Sequence, residues 1–222
     1  MIGGIHLKDI SMKAPLKNPA TKGKGLFVVL EGIDGSGKTS VGKEVVSRLN
    51  SQGINATFTF EPSDLPVGKL LRTVLSGSVE TDPHTHALLF AADREEHLRR
   101  EIIPLLEKGE LVVCDRYVYA SMAYQGAKGV NMEYIWEINR KLPHFLVPDL
   151  LLLLDIQPDI SLLRTTHREN ADIFETPDYL GKVRENYLKL AADHEMKIVD
   201  AGMEMVCVVE AVLGKIMDNL KE

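Results

Sequence analysis

The sequence predicts an α/β protein built on a five-stranded parallel sheet with helices on both faces. Three observations predict it. From Gly25 onward, five short apolar runs alternate with helical patterns. The run Gly32-Ile33-Asp34-Gly35-Ser36-Gly37-Lys38-Thr39 fits the phosphate-binding pattern G-x-x-x-x-G-K-[ST], with strand-like sequence before it and a helix pattern after it. Asp34, Glu61, Asp115 and Arg116 all fall at or just beyond the carboxyl ends of predicted strands, where such sheets bind ligands.

Residues 1–24 carry Lys8, Lys13, Lys17, Lys22 and Lys24 with little periodicity, and read as a flexible N-terminal extension, with Met12 as an alternative start. The first strand is the apolar run Leu26–Glu31. A helix over Lys38–Gln52 places Val41, Val45, Val46 and Leu49 on one side and is closed by Gly53. The second strand is Ala56–Phe60. Helices follow over Val67–Leu75 and His84–Glu107, the latter kinked or ended locally at Pro104. The third strand is Leu111–Asp115. A helix over Met132–Lys141 leads to the fourth strand, Asp149–Asp155. Helices over Ile160–Arg168 and Pro177–Ala192 precede the last strand, Lys197–Asp200, and a helix over Val206–Leu220 ends the chain. Strands separated by helices imply parallel pairing with both sheet faces covered.

A chain of 222 residues suits one domain with a full core. Its 45% hydrophobic and 26% charged residues are ordinary for a globular enzyme. A net charge of −6 argues against a nucleic-acid platform, which needs basic surface. Cys114 lies in an apolar run and Cys207 is the only other cysteine, so a disulfide framework is not expected and a reducing, cytoplasmic location is. No apolar run is long enough to span a membrane.

The glycines of the loop let successive amides curl around a phosphate chain, while the new helix points its positive end at the same anion. Lys38 is placed to reach the outer phosphates, and Thr39 offers a hydroxyl to Mg²⁺. Asp115, ending a strand, can face that metal or simply cap a turn. Arg116 beside it can take a phosphate. Phe90, Arg94 and His97 share one helix face. A ring one turn from a guanidinium suits a flat base, although core packing and a snorkelling arginine explain the pair equally well. Arg164 and Arg168 stand one turn apart, either as a mobile pair closing over a triphosphate or as a solvated face.

In combination these segments resemble the thymidylate kinase family. The resemblance runs from Gly25 to the C-terminus and rests on Phe27–Thr39, on Leu89-Phe90-Ala91-Ala92-Asp93-Arg94, and on Cys114-Asp115-Arg116-Tyr117 followed by Ala123-Tyr124-Gln125-Gly126. It implies a three-layer P-loop nucleoside monophosphate kinase domain over residues 25–222, with a small helical lid at about 160–176, transferring the γ-phosphoryl of ATP to dTMP. ATP would lie on Gly32, Asp34, Gly35, Ser36, Gly37, Lys38, Thr39 and Ser40. Thr39 and Asp115 would serve Mg²⁺, the latter directly or through water. On the acceptor side, Asp34 would bond the sugar 3′-hydroxyl, Phe90 would stack on thymine and Arg94 would reach its carbonyl edge. Arg116 would bind the dTMP phosphate, Ser121 would address the pyrimidine, and Tyr124 would crowd out a 2′-hydroxyl. Glu61 and Gln125 would complete that side. With no arginine in the loop, the lid would supply one, through Arg164 or Arg168, joining Lys38, Asp115 and Arg116 in catalysis. A homodimer is also implied.

Three positions depart from the family pattern. Phe60 stands where an arginine usually grips the monophosphate, Ala120 replaces a serine, and Ile173 replaces a lid arginine. The first leaves Arg116 to carry more of the phosphate, with Lys69 or Arg72 as possible substitutes. It keeps open a related P-loop kinase with a different or broader acceptor. A regulatory nucleotide-binding module without transfer activity is the other alternative.

Overall fold

The computed structural model describes residues 25–79, 81–165 and 176–221. The expected extension at 1–24 and residues 166–175 of the expected lid, with Arg168 and Ile173, lie outside them. The strands are β1 (Leu26–Glu31), β2 (Ala56–Phe60), β3 (Leu111–Asp115), β4 (Leu150–Asp155) and β5 (Lys197–Asp200). They form one parallel sheet in the order β2-β3-β1-β4-β5. The three central strands are almost wholly buried, as continuous apolar runs covered on both faces must be. Leu30 lies opposite Asp115, so β1 and β3 end together and hand their following residues to one crevice.

The helices are α1 (Lys38–Ser51), α2 (Pro66–Thr73), α3 (Pro83–His97), α4 (Ile103–Glu107), α5 (Val118–Ala127), α6 (Met132–Arg140), α7 (Pro158–Thr165), α8 (Pro177–Asp193) and α9 (Met205–Asn219). Helix α1 packs on α9, while α5 packs on α3, α6 and α8. Most of these match the spans read from the sequence to within two residues. Helix α5 was not anticipated. Seven of its ten residues are buried, so it carries no polar stripe to betray a helical period.

Pro104 does not break its helix. The expected single helix instead widens into a π-type segment over Leu98–Ile102 and resumes as α4, with Pro104 in its first turn. There the missing amide matters least, and the wider turn relieves the ring's clash with the preceding carbonyls. Among the described residues no helix is long and apolar enough to cross a membrane.

Candidate active site

The loop after β1 is held by glycine conformations. Gly32, Gly35 and Gly37 have φ of 147°, 77° and 90°, values that side chains rarely tolerate. Gly37 is the N-cap of α1 and brings no side-chain cap, which leaves the first-turn amides for an anion. Lys38 is buried, and its Nζ donates to the carbonyls of Gly32 and Ile33, both at 2.9 Å. Burial lowers its pKa, and the nearby Arg116 lowers it further, against the opposing pull of Asp115 and Asp34. Helix α7 presses on the loop from the far side. The Ser161 hydroxyl donates to the Asp34 carbonyl, and a Cβ at Gly35 would stand 2.5 Å from the Ser161 carbonyl oxygen.

Asp34 is the meeting point of three elements. Its amide donates to the Tyr124 hydroxyl at 2.9 Å, and that hydroxyl donates to Asp34 Oδ2 at 2.5 Å. Arg116 donates to Asp34 Oδ1 and lies over the Tyr124 ring, its Cζ 4.8 Å from the centroid. Arg116 itself sits in the left-handed region, with φ of 72°. A loop residue, a strand-end arginine and a side chain of α5 thus form one knot.

On the metal side, Thr39 donates its hydroxyl to Asp115 Oδ2 at 2.5 Å. The other oxygen, Asp115 Oδ1, is buried without a hydrogen-bond partner. One hydroxyl and one carboxylate oxygen suit Mg²⁺, which keeps waters and substrate phosphates as its other ligands. Among the described residues no three His, Cys, Asp or Glu side chains gather as a metal-holding group.

Arg94 is fully buried. Its Nη2 donates to Glu61 Oε2 at 2.6 Å and its Nη1 to Asn139 Oδ1 at 2.5 Å, while Ser121 Oγ lies 3.4 Å from Nη2. The guanidinium stands over the Tyr117 ring, 4.9 Å from its centroid. His97 completes the cluster, 3.5 Å from Glu61 Oε1 and hydrogen-bonded to Thr59 at 2.7 Å. Arg94 and His97 therefore share a face as their spacing requires, and what they share it for is Glu61. Two buried atoms here have no hydrogen-bond partner, Arg94 Nε and Gln125 Oε1. Phe90 is half-buried one turn earlier on α3.

The remaining candidates are spread more widely. Ser40 is exposed on α1, and Ser36 is buried within the loop. Arg72 donates to the carbonyls of Pro62 and Ser63 at 2.6 and 2.8 Å and pairs with Asp64, so its guanidinium serves the turn after β2. Lys69 is exposed. Arg164 donates to the Ala201 carbonyl at 2.9 Å, on the turn after β5.

Sequence reasoning passed over three residues that organise the site. Asn139 anchors Arg94 across 45 positions, with no local signal. Ser161 supports the loop from α7. Glu31 was legible as the one charge in an apolar strand. It is fully buried, and burial raises its carboxyl to about 7.

The thymidylate kinase family profile matches residues 30–212. A probable thymidylate kinase of Pyrococcus abyssi is 42% identical over 205 residues, covering 89% of this chain and 98% of that protein. One from Methanocaldococcus jannaschii is 42% identical over 196 residues, covering 88% and 96%. A thymidylate kinase of Ligilactobacillus salivarius is 37% identical over 206 residues, covering 88% and 99%.

Proposed function

The chain belongs to the thymidylate kinase family, and from that premise we propose that this site moves the γ-phosphoryl group of ATP to dTMP, giving ADP and dTDP. The observation that carries this reading is the knot of Asp34, Tyr124 and Arg116, which ties the donor loop to the acceptor-side helix.

An oxygen of the dTMP phosphate attacks the γ-phosphorus in line, the bond to the β–γ bridging oxygen breaks, and ADP departs. No strong general base is required, because a phosphate monoester is already largely ionised near pH 7. Lys38 exchanges its loop carbonyls for the outer phosphates of ATP. Arg116, fixed by Asp34, takes the acceptor phosphate and stabilises the charge spreading over the transferred group. Thr39 and Asp115 would hold Mg²⁺, which supplies neutralisation of the phosphate oxygens when bound. Phe90 stacks on thymine, Arg94 with Ser121 and Gln125 reads its polar edge, and Glu61 acts through Arg94. Asp34 accepts from the sugar hydroxyl, and Tyr124 packs beside the deoxyribose. One of Arg164 and Arg168 completes the site from the lid.

We place the protein in the cytoplasm as a homodimer. Exposed Leu70 on α2, Leu88 on α3 and Tyr134 on α6 offer its apolar face, with the Tyr134 ring 6.1 Å from that of His84. A broader acceptor range is favoured by Phe60, since Arg72 is committed to the neighbouring turn. The test is an acceptor panel of dTMP, dUMP, UMP, CMP and thymidine with ATP and Mg²⁺, with Lys38→Ala as the inactive control. Preferred phosphorylation of dTMP supports the reading. Exclusive phosphorylation of another acceptor, or of none, removes it.

A further inference from the structure

Glu31 is the last residue of β1 and directly precedes the phosphate loop. Its side chain is fully buried. Its Oε1 accepts from two backbone amides, Tyr117 N at 2.8 Å and Ala120 N at 3.2 Å. Its Oε2 accepts from the Tyr187 hydroxyl of α8 at 2.9 Å. Tyr117 is the N-cap of α5 and has no side-chain cap of its own. Glu31 therefore caps α5 from a different strand, binding the N-cap amide and the N3 amide at once. Both are donors of the helix start; the Tyr117 amide has Glu31 as its acceptor, and the Ala120 amide shares itself between Glu31 and the Tyr117 carbonyl at 3.1 Å.

The consequence falls on Arg116. It sits between Asp115, fixed by β3, and Tyr117, fixed by Glu31, and it holds a left-handed φ of 72° that a non-glycine residue does not adopt without support. Helix α5, whose start Glu31 holds, also carries Ser121, Tyr124 and Gln125. We propose that Glu31 is a positioning residue for the transfer: its carboxylate locks the end of the donor strand to the first turn of α5 and to α8, and so sets Arg116 and the acceptor-side chains in register with the phosphate loop. This rests on the acceptor-side roles given above. The electrostatics agree, because Arg116 and Lys38 both act on the Glu31 carboxyl, drawing it down against its burial.

The test compares Glu31→Ala, Glu31→Gln and Tyr187→Phe in the full chain, with steady-state kinetics for ATP and dTMP. Circular dichroism and unfolding midpoints give the folded fraction. Glutamine keeps an oxygen for the two amides; alanine removes the acceptor of the Tyr117 amide and leaves the Ala120 amide only the Tyr117 carbonyl. The expected result is a rise in KM for dTMP of roughly tenfold or more, with reduced kcat, in Glu31→Ala, the scale of loss from misplacing a reacting group. KM for ATP should change by less than about threefold, and Glu31→Gln should recover most of the loss, as expected when only acceptor-side binding is disturbed. Tyr187→Phe, which keeps the cap and loses one bond, should shift KM for dTMP in the same direction by a smaller factor. A purely structural Glu31 would lower the active fraction and leave both KM values alone, and that outcome overturns the proposal. If Glu31→Ala does not fold, an unchanged KM for dTMP in Tyr187→Phe overturns it as well. A wild-type protein that transfers nothing to dTMP would instead remove the functional reading on which the proposal stands.

Discussion

Thr39 and Asp115, 76 positions apart, share a 2.5 Å hydrogen bond that leaves the second Asp115 oxygen buried and without a hydrogen-bond partner. A buried carboxylate oxygen without a hydrogen-bond partner is costly, and its neighbours are the groups that would serve a metal-bound triphosphate. Asp115→Asn keeps the shape and removes the charge. Its kcat should fall by about 10²–10³-fold, the range for losing one preorganised electrostatic contact. Mg²⁺ titration of the rate checks the cause: the variant should need more metal for half-maximal activity.

The two arginines proposed for the lid, Arg164 and Arg168, are expected to separate by rate. Arg164 is docked on the Ala201 carbonyl, one turn after Ser161, which bonds the Asp34 carbonyl. Arg164→Ala and Arg168→Ala should differ in kcat far more than in KM for dTMP. The one that stabilises the transferring group should lose about 10³-fold or more, as arginines in that role do. A variant with unchanged kcat is not that residue.

The buried pair of Arg94 and Glu61 predicts a large stability loss when one partner is removed. Glu61→Ala would leave the Arg94 guanidinium with the Asn139 hydrogen bond, the longer one to Ser121 and the Tyr117 ring, but with no opposite charge beside it. The expected cost is about 3–5 kcal/mol in urea-unfolding free energy. Glu61→Gln should cost less, since its oxygen can still accept from Arg94.

Glu31 predicts a pH dependence of stability. Its carboxyl is raised by burial from 4.5 to about 7 in the folded protein. The folded state therefore holds that proton over a window in which the unfolded chain has released it. Its contribution is fully present below about pH 4.5 and is lost as pH rises through 7. The integrated effect is about 3 kcal/mol. Glu31→Gln cannot titrate, so the unfolding free energy of the variant relative to wild type should climb by about that much across the window. Urea unfolding at pH 4.5, 6 and 8 measures it; a constant difference would show that Glu31 keeps an ordinary pKa.

The sheet was legible because each strand is a compact apolar run bounded by turn residues, and the loop because its glycines and Lys38 stand at fixed spacing. The two charged strand ends, Asp115 and Arg116, were legible for the same reason. Helix α5 was not, because a segment buried on every side has no periodic face to read. Nor were the partners of Arg94. Glu61 and Asn139 come from a strand end and from α6, brought together by packing that no local pattern records. The Glu31 cap has no local signal for a similar reason: the capping carboxylate belongs to another strand, 86 positions from the Tyr117 amide it binds.

Gly35 bears on how this chain can change. With φ of 77° and the Ser161 carbonyl oxygen 2.5 Å from where a Cβ would stand, the position admits no side chain while α7 rests on the loop. Any larger residue here would require the Ser161 turn of α7 to move along with it. Loop and helix are therefore a joint solution, and a single change at Gly35 disturbs both.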